Sequence, residues 1–484
     1  MNIAQLDPQI VWKHFAALCA LPHPSGHEEG VRGYLLDFAA KNHLNATTDA
    51  AGNLLIRKAA SAGNDTAPSV LLQGHIDMVP QKNMNVDFDF IREPIRPYID
   101  GEWVRAEGTT LGADNGIGVA AALAVLEDRK LDHGPLGALF TVEEETGLSG
   151  ALNVNPAFLN AHYLLNLDTE EEGVACIGCA GGARTDFLFK LEMVPVPAEC
   201  RGVKIFVGGL LGGHSGMDIN RGRGNAIKVM ANLLLEAQQR FNFRISTFQG
   251  GNLDNAIPRE AVVTGWVPEE SEMDMGEWIK DCEYNLRLHF KESDPGVKVV
   301  MNCYSAGNMV WKAELQNQVV DALAGCANGP RSYVADIPEL VETSSNLASI
   351  NESEGQIVIT TSQRSAVDRE RDQLVERLDH FFAAHGAECR RRSSYPGWPT
   401  EKHSQLTEIT ERVFNQLFLR ELELTAIHAG LECGIFQGKR SGIQMISIGP
   451  DILAAHSPDE RVRIESVKNF YRFLTALLSA LALP

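Results

Sequence analysis

Three short apolar runs of this 484-residue sequence each lead directly into side chains able to hold a metal. Val70-Leu71-Leu72-Gln73-Gly74 runs into His75-Ile76-Asp77, Leu139-Phe140-Thr141-Val142 into Glu143-Glu144-Glu145, and Tyr163-Leu164-Leu165-Asn166-Leu167 into Asp168. Two further candidates are Asp114, in Leu111-Gly112-Ala113-Asp114-Asn115-Gly116, and His456, in Ala455-His456-Ser457-Pro458. Imidazole and carboxylate together suit a borderline cation such as zinc, and without a cysteine cluster they point to catalysis over structural support. Five ligands exceed the needs of one catalytic zinc and fit two metals sharing a carboxylate. Each piece alone has a plainer reading: a hydrogen-bonded histidine at a strand end, a solvated glutamate turn, a helix cap at Asp114, an acidic surface loop at Asp168, a loop histidine at 456. Their combination, in this order, favours the metal site.

The elements that must position these groups alternate between helix and strand. Residues 70–73, 136–142 and 163–167 suit buried parallel strands, 114–127 an intervening helix, and 444–448 a further strand. In open α/β sheets, ligands bind beyond the carboxyl ends of such strands, where several loops converge. Trp12, Phe15, Ala16 and Cys19 lie at helical spacing, and Ser25, with Glu28 three residues on, is expected to cap a helix running to about residue 40. Val467, Phe470, Leu474, Leu477, Leu478 and Leu481 fall on one face of a final helix.

The middle of the chain differs. Between Pro195/Pro197 and the segment 390–399, strand-like runs (204–207, 261–266, 298–303, 356–361) alternate with helical ones (226–239, 275–290, 368–384). The expected fold class is therefore α/β: a three-layer catalytic domain with a mostly parallel sheet, built from residues 1–192 and 395–484, with an α+β domain of residues 193–394 inserted. The insert is nearly twice the length of one four-strand, two-helix sandwich, which raises the expectation of a doubled unit, although no repeated sequence is visible.

Composition narrows the function. Acidic residues outnumber basic ones 63 to 43, for a formal charge of −20, which argues against nucleic-acid binding. An apolar content of 44% excludes wholesale disorder. Residues 146–167 lack charges but are broken by Asn153, Asn155, Pro156, Asn160 and His162, and the tail 473–484 is too short to cross a bilayer, so no membrane partner is expected. No leader pattern opens the sequence, and nine cysteines without regular spacing point to a reducing compartment, so the cytoplasm is expected. The glycine pairs at 208–209 and 212–213 lack the lysine of a phosphate loop.

His75-Ile76-Asp77-Met78-Val79-Pro80, Gly112-Ala113-Asp114-Asn115-Gly116, Glu144-Glu145-Thr146-Gly147, Asp168 and His456 together resemble the motifs of the di-zinc exopeptidases related to carboxypeptidase G and aminoacylase. Nearly end to end, the sequence resembles the bacterial aminoacyl-histidine dipeptidases of that family, also called peptidase D or carnosinase-like. The resemblance extends through Glu107-Gly108-Thr109-Thr110-Leu111, Cys179-Ala180-Gly181-Gly182, Gly212-Gly213-His214-Ser215-Gly216, Asn255-Ala256-Ile257-Pro258, Ile427-His428-Ala429-Gly430-Leu431-Glu432 and His456-Ser457-Pro458-Asp459-Glu460. Many relatives carry a lysine two places after the bridging aspartate; Gly116 stands there instead, as in the histidine-dipeptidase subgroup.

The resemblance implies two zinc ions per subunit, manganese or cobalt being acceptable to the same ligands. His75 and Asp168 would hold one metal, Glu145 and His456 the other, and Asp114 would bridge them. Asp77 would orient His75, and Glu144 would serve as general base to a hydroxide bridging the two metals; the Thr-Gly after Glu145 sets that register over Glu143. The insert becomes a lid, with His214 stabilising an oxyanion, in its own or a neighbouring subunit, and Asn255 and Arg364 holding substrate. Arg364 suits a free C-terminal carboxylate. Apart from the resemblance, Arg364 reads as a surface ion-pair partner and Asn255 as a turn residue. The implied activity is metal-dependent hydrolysis of short unblocked peptides, Xaa-His dipeptides and carnosine-like ones included, by a homodimer, with a monomer as the other state. Deacylation of N-acyl amino acids on the same site is one alternative. A non-catalytic binding protein is another, against which Glu144 and all five ligands are present.

Overall fold

The computed structural model describes residues 2–304, 307–335 and 337–483; Met1 and Pro484, the outer limits of the two expected catalytic segments, lie outside the described residues. The chain forms two compact units, one of Met1–Gly178, Trp398–Ala426 and Leu431–Pro484, the other of Cys179–Gly397 and Ile427–Gly430.

In the first unit an eight-stranded sheet has four parallel strands at its centre, in the order Leu136–Thr141, Val70–His75, Tyr163–Asn166, Gln444–Ser447. Leu54–Lys58 runs antiparallel on the outer side of Leu136–Thr141. The central runs are largely apolar because both faces are covered. Val70, Leu72, Leu136, Ala138, Tyr163, Leu165 and Ile446 share a core with the helix residues Trp12, Phe15, Leu474 and Leu477. The alternate residues Leu71, Leu139, Leu164 and Met445 are buried on the opposite face. This is the three-layer α/β arrangement.

Two local details differ from the sequence reading. The helix Glu29–Lys41 starts after Glu28, and Ser25 does not cap it; the Ser25 hydroxyl donates instead to Asp77 Oδ2 at 2.7 Å. The buried helix Ala113–Glu127 is irregular at its start, with Asp114 and Asn115 outside helical φ/ψ. His456 lies between Ile452–Leu453 and Arg461–Arg463, two strands of a four-stranded antiparallel sheet that also holds Trp103–Ala106 and Pro97–Asp100.

The second unit is α+β. Its nine-stranded sheet carries the helices Ala226–Phe241, Glu272–His289, Ala313–Gly325 and Asp368–Ala384 on one face, where Ile227, Met230, Ile279, Val319, Leu378 and Phe382 join strand residues in a single core. Eight of the nine strands form a pair of four-strand, two-helix halves, and the ninth, Gly329–Val334, pairs with Ile337–Ser353. In the first half, Cys200–Gly208, Arg244–Gly250, Ala261–Pro268 and Lys298–Cys303 take the spatial order fourth, first, third, second. In the second half, Gly181–Lys190, Ile337–Ser353, Gln356–Ser365 and Glu388–Tyr395 take the mirrored order second, third, first, fourth. The halves meet where Gly250 pairs with Ile350. Gly181–Lys190 is thus the first strand of the second half, parted from its mates by the whole first half. That is why the second unit begins at Cys179 and not at 193: the strand's ladder partners are Gln356–Ser365 and Glu388–Tyr395.

Among the described residues no helix is long and apolar enough to cross a membrane. The final helix, Ile464–Leu481, packs through Leu474, which is wholly buried, while Leu483 just beyond it is 71% exposed. Leu474→Ala is expected to lower the free energy of unfolding by about 2–5 kcal/mol, and Leu483→Ala to change it by less than about 0.5 kcal/mol, in denaturant titrations.

Candidate active site

The parallel strands deliver the metal-capable groups to one edge. His75 ends its strand, Glu143, Glu144 and Glu145 follow Leu136–Thr141, and Asp168 follows Tyr163–Asn166. His75 is 1% exposed, and its Nε2 lies 3.1 Å from Asp114 Oδ1 and 3.4 Å from Asp168 Oδ1. His456 Nε2 lies 3.1 Å from Asp114 Oδ2 and 3.0 Å from Glu145 Oε1. Asp114 therefore turns one oxygen to each imidazole. Donor atoms of His75, Asp114 and Asp168 fall within 4.8 Å of one another, as do those of Asp114, Glu145 and His456, and those of His75, Glu144 and Glu145.

These side chains fit a pair of cations. Each Nε2 faces two carboxylate oxygens but can carry only one proton, so one acceptor of each pair stays unanswered. Asp168 Oδ1 and Glu145 Oε1 are buried and accept no well-directed hydrogen bond among the described residues. Five carboxylates (Asp77, Asp114, Glu144, Glu145, Asp168) surround two imidazoles. Burial disfavours charge on His75, yet Asp168, Asp114 and Asp77 raise its pKa well above the usual value. Hydrogen bonds to Asp114 and Glu145 push His456 up to about 11. A cation placed between these nitrogens and oxygens takes over the role of those protons.

Asp77 has three partners beyond the expected one, the Ser25 hydroxyl among them. His75 Nδ1 lies 3.1 Å from the Asp77 main-chain oxygen and 3.4 Å from Oδ1, which leaves Nε2 to the ligand cluster. The same carboxylate accepts the main-chain N–H groups of Glu144 at 3.0 Å and Glu145 at 3.2 Å. One buried acid thus fixes both the imidazole and the adjacent glutamates. Burial works against its charge, but the His75, Ser25 and Glu144 hydrogen bonds hold Asp77 at about 2. Glu144 is the reverse case: burial, with Asp168, Glu432 and Glu145 nearby, drives it well above the carboxylate range despite His75.

Several supporting groups escaped the sequence reading. Gln73, Asn166 and Ser447 are register mates on three adjacent strands, two residues before His75 and Asp168 in the first two cases. Asn166 Nδ2 donates to Gln73 Oε1 at 2.6 Å, Ser447 donates to Asn166 Oδ1, and Gln73 Nε2 donates to Thr141 Oγ1 and to the buried Glu432. A polar rung in the middle of apolar strands was the available signal. Asn115 donates to the Leu167 main-chain oxygen at 2.6 Å and packs so closely on Gly74 that a Cβ there would meet its Oδ1 at 2.1 Å. Glu28 Oε1 accepts from Glu143 N–H at 3.1 Å.

The second unit gathers its own polar cluster. His214 pairs with Ala256 in a two-stranded ribbon, and the Asn255 main-chain oxygen accepts from Ser215 N–H at 2.8 Å; the Asn255 residue itself is exposed in a turn. His214 Nδ1 accepts from the N–H groups of Gly216 at 3.3 Å and Met217 at 3.1 Å, which places the ring proton on Nε2. Arg364 is not on the surface. It is 7% exposed, donates to the Tyr395 hydroxyl at 3.1 Å, and has Nη2 3.5 Å from His214 Nε2. Among the described residues no carboxylate forms an ion pair with Arg364, and its Nε has no hydrogen-bond acceptor. His428, buried and 2.7 Å from Ser344 Oγ through Nε2, is a further member that only its motif had hinted at.

The family model for peptidase family M20/M25/M40 matches residues 71–480. The chain belongs to peptidase family M20/M25/M40. It is 39% identical to the cytosol non-specific dipeptidase of Escherichia coli K12 over 477 residues, 99% of this chain and 98% of the relative. The crystal structure of aminoacylhistidine dipeptidase from Vibrio alginolyticus superposes with a TM-score of 0.92 at 38% identity, covering 99% of this chain and 98% of that one. Human carnosine dipeptidase 1, at 12% identity and a TM-score of 0.51 over 98% of this chain and 96% of that one, shows the fold alone. As an M20/M25/M40 member the protein is a metallopeptidase, and its candidate site carries the donors such an enzyme requires.

Burial and the Arg364 charge hold His214 down at about 4, so the ring is neutral at pH 7 and offers Nε2–H as a donor. In NMR titration the His214 ring is expected to show a midpoint near 4, not the ordinary 6.5. A midpoint at 6.5 would show that burial and the Arg364 charge do not depress the ring.

Proposed function

We propose that this metallodipeptidase hydrolyses short unblocked peptides, Xaa-His dipeptides and carnosine-like ones among them, on two metals held in adjacent sites. His75 and Asp168 are assigned to one metal, Glu145 and His456 to the other, and Asp114 to both. The observation that carries the reading is the pair of donor sets sharing Asp114, each an imidazole nitrogen with two carboxylate oxygens. When bound, two such dications would acidify a shared water to a bridging hydroxide and polarise the scissile carbonyl.

The chain's own residues supply the rest. Glu144, held by Asp77 through its main-chain N–H, is assigned as the base that takes a proton from the attacking water and passes it to the leaving amine. His214, neutral and with its ring proton on Nε2, is assigned to the developing oxyanion, in its own or a neighbouring subunit. Arg364, a buried cation with no carboxylate paired to it among the described residues, is assigned to the free C-terminal carboxylate, and Asn255 to the substrate backbone. The names of the two relatives differ in breadth, one non-specific and one for aminoacyl-histidine; the histidine preference is the narrower proposal. We assign zinc as the metal, a homodimer as the assembly, and the cytoplasm as the location, the last supported by the name of the Escherichia coli relative.

The test is metal analysis of the purified protein beside a substrate panel of Gly-His, carnosine, other dipeptides and N-acetyl amino acids. Chelation should abolish hydrolysis, and zinc, manganese or cobalt should restore it. Turnover of N-acetyl amino acids in preference to free dipeptides would replace the dipeptidase reading with deacylation. Glu144→Gln is expected to lower kcat about 10²–10⁴-fold with metal content near normal; unchanged turnover discards it as the base. Arg364→Met should raise KM for free dipeptides far more than for their C-terminal amides, and equal effects on both would remove the carboxylate contact.

A further inference from the structure

Glu460 lies outside the ligand set, yet its carboxylate is 2% exposed and fully engaged. Oε2 accepts the main-chain N–H groups of Leu111 at 2.7 Å and Gly112 at 3.0 Å; Oε1 accepts those of Ala113 at 2.7 Å and Asp114 at 3.3 Å. Four consecutive amides, the last belonging to the shared aspartate, converge on one side chain. Their convergence depends on Gly112, whose φ of +73° bends the loop so that successive N–H groups share a concave side; a Cβ there would also press on Met78 Sδ at 3.1 Å. These amides precede the regular part of helix Ala113–Glu127, where no earlier turn supplies carbonyl partners.

The other end of Glu460 is equally fixed. Its N–H donates to the Ser457 main-chain oxygen at 3.0 Å, closing a turn one residue after His456. The next residue, Arg461, enters the strand paired with Trp103–Ala106, in which Val462 is wholly buried. The carboxylate is therefore a strut between the loop that carries His456 and the loop that carries Asp114. Of the two donor sets, the one made of Asp114, Glu145 and His456 takes two members from the loops this strut joins, and the set of His75, Asp114 and Asp168 takes one.

We propose that Glu460 is a positioning residue for the metal assigned to Asp114, Glu145 and His456, holding both loops at the spacing that metal requires. The proposal rests on the two-metal reading above. A glutamine at 460 keeps the shape but sets an NH₂ group against two of the four amides, so the strut fails without a change in volume.

The test is zinc titration of the metal-stripped full-length protein by calorimetry and chelator competition, with far-UV circular dichroism and thermal unfolding of the metal-free state alongside. Wild type should show two binding steps and His456→Ala only one. E460Q should keep the step that survives in His456→Ala and weaken the other by about 10–100-fold, with activity regained as free zinc is raised. E460D, charged but shorter, should fall between, and it carries the test if E460Q does not fold. Wild-type affinities in either folded variant overturn the proposal. So does equal weakening of both steps with a matching loss of metal-free stability, which would mark Glu460 as a general structural residue. Two undiminished steps in His456→Ala would instead overturn the two-metal assignment, an outcome distinct from any failure of Glu460.

Discussion

One carboxylate facing two imidazoles organises the first unit. Asp114 turns Oδ1 to His75 and Oδ2 to His456, two side chains 381 positions apart in a 484-residue chain. Such an arrangement concentrates negative charge in a space from which water is largely excluded, and a buried charge without an opposite one is costly. The surrounding structure resists that cost from several sides. Glu460 holds the Asp114 main chain, Asn115 ties the next residue to the segment before Asp168, and Asp77 fixes both His75 and the Glu144–Glu145 main chain.

The sheet contributes more than strand ends. Gln73, Asn166 and Ser447 sit side by side across three parallel strands and satisfy one another's polar groups, with Thr141 and Glu432 completing the chain. A buried polar network of this kind is destabilising when partly satisfied and specifying when complete. Here it fixes strand register immediately before the residues that matter, since a slip of one residue would reverse the face of every ligand. Glu432 is the least comfortable member: burial pushes it up to about 7 although Thr141 and Gln73 both donate to it, so its carboxyl sits near the boundary between the two protonation states at neutral pH.

Much of this was legible because apolar runs ending in His, Glu or Asp are a local signal, and a three-layer fold converts local endings into a shared edge. His75, Glu144, Glu145 and Asp168 announced themselves in that way, whereas Asp114 and His456 stood out only in company with them. The supporting groups did not, because their roles depend on which strand lies beside which. Ser25 looked like a helix cap, since the capping pattern needs only four residues, whereas its actual partner, Asp77, is 52 positions away. Arg364 looked like a surface cation because arginine commonly is one, and only the ladder around Gln356–Ser365 shows it buried beside Tyr395. The start of the second unit was misjudged for a topological reason: Pro195 ends a short strand, Met193–Pro195, inside that unit and does not mark its edge.

The doubled sheet has a consequence for how the chain comes into being. Gly181 leaves the ribosome long before Ser365, with which it pairs, while Cys200–Gly208 through Lys298–Cys303 can close their four-stranded half with partners already synthesised. The strand Gly181–Lys190 must therefore wait, apolar residues such as Phe187 and Phe189 exposed, until the second half emerges to cover them. Nascent chains halted between these two events would carry an unpaired apolar strand, open to association with other chains.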